Sequence, residues 1–156
     1  MRRIAILIVA VAALGGPFAR VTTVQAQPVI DSTSGMSFGR IVMDTSNGDT
    51  LRLNPTTGQL TAAGSTSLSG ASNAGNISIS GTPNQSLSIL PPSDTVINFS
   101  GGNVTLKEFA FTSAMPTSLN GAGTLSLGVG CDLQYDAHIT QGGPISQSIS
   151  FIIVYE

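Results

Sequence analysis

The 156-residue chain carries 9% charged residues, a formal charge of −2, one cysteine and no tryptophan. That balance offers nothing to a phosphate backbone, so a nucleic-acid partner is excluded, and a lone cysteine excludes an intramolecular disulfide. A sparsely charged chain rich in Gly, Ser, Thr and Asn fits an extracellular β-protein better than a cytosolic enzyme.

Met1-Arg2-Arg3 precedes the uncharged run IAILIVAVAALGG, which is too short for the roughly 20 residues of a membrane-spanning helix. With small residues at Val24-Gln25-Ala26, residues 1–26 read as a secretory signal peptide. The remainder, 27–156, has the length of one domain. Beyond the signal it holds three basic residues, Arg40, Arg52 and Lys107, against eight acidic ones. Residues 27–35, QPVIDSTSG, form an N-terminal extension, and 36–156 a β-domain.

No helical periodicity follows. Alternating apolar and polar residues recur between Gly, Pro and Asn punctuation, which predicts strands at 36–44, 49–53, 58–64, 76–81, 86–90, 95–99, 103–111, 124–139 and 145–156. So many short strands predict an all-β, immunoglobulin-like two-sheet sandwich. The patch SLSGASNAG at 67–75 reads as a mobile loop.

Three motifs suggest chemistry. Gly35-Met36-Ser37-Phe38-Gly39 fits G-x-S-x-G, but a nucleophile elbow needs a helix after the turn, and RIVMD alternates like a strand. Asp132, Gln134, Asp136 and His138 share one strand face that could hold a cation, but a solvated face opposite the core-facing Cys131, Leu133, Tyr135, Ala137 and Ile139 is the better reading, because cation sites usually gather several ligands on converging loops. Cys131 reads as a buried small hydrophobe, with an intermolecular disulfide as the alternative. The residues form no catalytic, metal or cofactor constellation, so a non-enzymatic protein without cofactors is expected.

The final segment, SQSISFIIVYE, places Ile149, Phe151, Ile153 and Tyr155 on one face. Ile152 and Val154 make its last third apolar on both sides, as in a central strand buried between layers. Left at an open edge it would resemble an aggregation segment. Burying those four side chains is worth about 6–12 kcal/mol, comparable to the roughly 5–15 kcal/mol that holds a domain together. A strand donated by another chain would supply the cover.

Gly143, the alternating apolar residues after it and the penultimate Tyr155 resemble the end of a chaperone–usher pilin. Met36-Ser37-Phe38-Gly39-Arg40-Ile41 resembles the L-D-F-G-x-I opening block of the bacterial DUF4402 family, which is similar to pilins and spore coat protein U-like subunits. Asn54-Pro55-Thr56-Thr57-Gly58 resembles its D-P-x-x-G turn, Gly81-Thr82-Pro83 with SLSILP its G-T-P block, and Leu125 to Gly130 its L-x-V-G-A stretch. The resemblance implies a structural subunit of a surface fibre (pilus or fimbria) or coat, exported through the periplasm to the cell surface. Its partners would be copies of itself or related subunits, a periplasmic chaperone and an outer-membrane usher. Ile149, Phe151, Ile153 and Tyr155 would line an acceptor groove, and Val29 and Ile30 would belong to a donor segment, a short one beside Pro28 and Asp31. The alternative is a monomeric secreted binding module, for carbohydrate or another surface ligand, that closes its own groove.

Overall fold

A computed structural model describes residues 27–44, 46–139 and 143–155; the expected signal peptide lies outside the described residues. The described chain is all-β. Its strands are β1 (Val29–Ser34), β2 (Arg40–Val42), β3 (Asp49–Leu53), β4 (Leu60–Ala62), β5 (Ser67–Ser69), β6 (Gly75–Ser80), β7 (Ser86–Leu90), β8 (Thr95–Phe99), β9 (Gly102–Phe111), β10 (Thr117–Ser118), β11 (Thr124–Tyr135) and β12 (Ile152–Tyr155). Among the described residues no helix is long and apolar enough to cross a membrane.

The twelve-residue β11 organises the first layer. One of its edges pairs with β6 from Thr124↔Ser80 to Val129↔Gly75 and then with β3 from Asp132↔Arg52 to Tyr135↔Asp49. The other edge pairs with β9. β1 extends this sheet beyond β6, β4 beyond β3 and β8 beyond β9, all antiparallel. Period-2 alternation puts Leu127, Val129, Cys131, Leu133 and Tyr135 on one buried face.

The opposite layer comes in two pieces, a three-stranded sheet β10-β7-β12 and a two-stranded ribbon β2-β5. Together the layers form a β-sandwich with two apolar clusters. Ile77, Ile79, Leu87, Ile89, Leu119, Leu127 and Val129 pack beneath β7 and β12. Leu51, Leu53, Leu60, Val104, Leu106, Cys131, Leu133, Tyr135 and Ile139 form the other, with Met36, Phe38, Ile41 and Met43 laid across it.

Three expectations are corrected. The patch at 67–75 contains β5, whose Leu68 pairs with Ile41 of β2. Three residues are too few to show alternation, and their partner is distant in sequence. The long strand at 124–139 stops at Tyr135, and Ala137 and His138 turn, His138 with φ 77°. Most consequentially, the strand expected at 145–156 is ordered as a ladder only from Ile152 to Tyr155, and it lies at an edge of its sheet, not at its centre. Ile152 pairs with Leu90, after which Pro91 and Pro92, lacking N–H groups, end β7. Upstream of Ile152, residues 143–150 therefore have no strand beside them among the described residues.

Candidate functional site

Between the two pieces of the second layer lies an apolar cleft of about 1260 Å³. One wall is the segment around β2, with Met36, Phe38, Ile41 and Met43; the other is 143–153, with Ile145, Ile149, Phe151 and Ile153. Ile97, Phe99, Val104, Leu106, Val129 and Leu133 of the first layer form the floor. Residues 143–150 belong to no strand and, among the described residues, share no backbone hydrogen bond with any other. A wall of open N–H and C=O groups thus borders an apolar floor, the geometry that accepts an added strand.

Two conformational details build the walls. Gly39 adopts φ 66°, and a Cβ there would stand 2.9 Å from Ser69 O. This break in the extended chain resets the alternation, so Met36 and Phe38 before it and Ile41 and Met43 after it all face the core. On the opposing sheet, Glu108 at φ 51° is the extra residue of a bulge in β9. The bulge moves Phe109 and Phe111 onto the face of Val104 and Leu106, where both meet Phe151 edge-on at 5.8 Å.

The expected acceptor residues divide. Ile149, Phe151 and Ile153 are half-buried and line the cleft. Tyr155 stands outside it, its hydroxyl donating to the carbonyl of Pro28 at 3.0 Å. Of the expected donor residues, Ile30 reaches the cleft and Val29 does not; both are exposed on β1, which pairs with β6 of its own chain. Phe38, Gly39 and Gly143 also border the cleft. Sequence reasoning did not assign Met36, Ile41, Met43, Ile97 or Phe99 to a groove, because their convergence depends on strand pairing across the fold.

The other family-like blocks build corners. Asn54 Oδ1 accepts from the N–H groups of Thr56 at 2.8 Å and Thr57 at 3.0 Å, and Gly58 N–H donates to Asn54 O at 2.9 Å. This turn lies on β11 so closely that a Cβ at Gly128 would collide with the Pro55 carbonyl and one at Gly130 with that of Leu53. Two of the polar candidates, Asp132 and Asp136, already have partners, Asp136 accepting from Asn103 N–H at 3.3 Å. Arg52 clamps Asp132 through Nε and Nη2, both at 2.9 Å. Among the described residues no three His, Cys, Asp or Glu side chains gather as a metal site. Ser37 of the G-x-S-x-G stretch bridges Asn73 by paired backbone hydrogen bonds and leads into β2, with no helix.

A buried polar chain anchors the end of the core. Asp49 accepts from Thr50 N–H at 2.7 Å, Gly64 N–H at 2.8 Å and the Thr66 hydroxyl; Thr66 Oγ1 meets Tyr135 OH at 2.8 Å, which accepts from Asp44 N–H at 3.0 Å. Burial pushes the Asp49 carboxyl up, but the hydrogen bonds from Thr66, Thr50 and Gly64 outweigh it and hold the group below the usual carboxylate value. Burial drives the Cys131 thiol up to about 12, with Asp132 adding to the effect, so it stays a neutral core group.

The fold and cleft define an antiparallel β-sandwich with an interrupted second layer and no assembled catalytic group among the described residues. The family comparison is specific: residues 29–144 match the model of the domain of unknown function DUF4402, and the chain belongs to that family. No curated protein matches the chain. No solved structure matches it either.

Proposed function

We propose that this chain is a secreted structural subunit of a surface fibre (pilus or fimbria) or coat, and that its cleft is filled by a β-strand from a neighbouring chain. The observation that carries this reading is the apolar cleft bordered by the unpaired backbone of 143–150. An incoming strand would hydrogen-bond along that wall and turn alternate side chains onto the floor formed by Phe99, Val104, Leu106 and Leu133. It would join β10-β7-β12 to β2-β5 and make the second layer continuous. The resemblance of Gly143 and the alternating apolar residues after it to a pilin strand suggests the assembly route: a periplasmic chaperone would cover the cleft, an outer-membrane usher would assemble the fibre, and a neighbouring subunit would supply the strand. Val29 and Ile30 on β1 are the segment by which this chain would reach a neighbour in turn.

The test is electrophoresis of surface extract from producing cells, unboiled and boiled in detergent, probed for this chain. A ladder that collapses to monomer only on boiling is expected from strand exchange locked by slow unfolding. A single monomer band in both lanes rejects the assembly reading.

One observation favours a second reading, a monomeric surface-binding module. β1 is paired with β6 of its own chain, so the N-terminal segment has a place in cis. In that case the cleft holds a ligand and not a strand, and the chain stays monomeric and stable without a chaperone.

A further inference from the structure

We infer that the strand completing this cleft comes from a different chain and not from a second copy of this one, an inference that rests on the strand-completion reading above. The candidate donor within this sequence is β1 and its flanks. Val29 and Ile30 are adjacent, so in an extended strand they point to opposite faces and only one can enter the cleft. If Val29 points in, its companions are Gln27, Asp31 and Thr33; if Ile30 does, they are Pro28, Ser32 and Ser34. Either face brings one large apolar side chain to a floor built from Ile97, Phe99, Val104, Leu106, Val129 and Leu133.

The next apolar residues in register with Ile30 are Met36 and Phe38, and both already pack on the core of their own chain. An inward Asp31 would bring a carboxylate onto an apolar floor, where burial without a partner is costly. Among the described residues that line the walls only Arg40 is charged, and it is exposed on the face of β2 opposite Ile41. In place, β1 holds five paired positions against β6, and its Asp31 accepts from Ser80 Oγ at 2.8 Å. A second copy would surrender those bonds and fill little of the cleft.

The occupant therefore has a definable chemistry. It is an extended, uncharged segment with large apolar side chains at every second position, long enough to run beside residues 145–153. The polar face between them can be Ser, Thr or Asn, as in the exposed half of this sandwich.

The experiment uses the purified chain as processed by the producing cell and follows its thermal unfolding with two peptides in excess. One is this chain's residues 27–39. The other alternates isoleucine and threonine over about ten residues, enough at roughly 3.3 Å each to pass 145–153. The alternating peptide is expected to raise Tm by about 10 °C and the 27–39 peptide by less than about 2 °C. Ile145→Asp, at the mouth of the cleft, is expected to abolish the larger shift while leaving the free protein's own Tm within about 2 °C. An equal shift from the 27–39 peptide, or a boiling-sensitive ladder from the purified chain alone, overturns the inference and leaves strand completion standing. No shift from either peptide overturns both.

Discussion

The two halves of the core are built from the same kinds of residue and end in different states. Under β7 and β12, Leu87 and Leu127 are each 0% exposed and the sheet above them is continuous. Under β2, the floor is equally apolar, but the layer above it is a three-residue strand, a gap and the unpaired segment 143–150. The difference lies in the cover and not in the floor. β7 supplies a full-length partner to β12, whereas the prolines after Leu90 withhold one from the residues upstream. An apolar surface is thus necessary for a core half but does not close it; backbone pairing does.

The sharpest way to break this contrast is to cut the same kind of side chain from each half. Leu127→Ala, in the closed half, is expected to cost about 2–5 kcal/mol in urea unfolding, because its surroundings are packed and relax little. Ile149→Ala, on the wall of the cleft, should cost roughly 1 kcal/mol or less, since one side of it already borders open space. Equal losses would show that the cleft is closed in solution. Gly130→Ala falls between them, at roughly 1–3 kcal/mol, as the new Cβ forces the 54–58 turn away from β11.

Two smaller effects probe the half under β2 by pH. The Asp49 carboxyl lies below its unfolded value of roughly 3.9, so its contribution is fully present above that pH and is lost as pH falls through the lower folded value. Asp49→Asn should flatten the acid limb of a stability-against-pH curve, and an unchanged limb would remove Asp49 as its cause. Cys131 works in the opposite direction. Its folded pKa of about 12 exceeds the unfolded thiol's roughly 8.5, so stability is full below the latter and declines as pH rises between the two. A thiol reagent at pH 8 should leave the folded chain unlabelled and label it fully in denaturant; rapid labelling of the folded chain would show that this half of the core opens.

Much of the fold was legible as alternation. DTLRL, SLSIL and TVINF form strands with the bounds their periodicity predicts, and the inward face of β11 is the odd-numbered set from Leu127 to Tyr135. Half of the candidate site was legible too: Ile149, Phe151 and Ile153 do share a face toward the cleft. Tyr155 shares their parity but lies beyond the cleft, bonded to Pro28.

What the sequence by itself determined is which side of each strand is apolar, because a period of two is a local property of an extended chain. It could not determine where that period resets. Gly39 and Glu108, both at positive φ, shift the parity and bring Ile41, Met43, Phe109 and Phe111 inward, and their effect depends on the strand across from them. Nor could it determine that FIIVY would lie at an edge. Strand order is settled by non-local pairing: β12 ends its sheet beside β7, and Pro91 and Pro92 stop β7 so that the residues upstream of Ile152 have no partner there, so tertiary structure alone made an apolar repeat into the wall of a cleft.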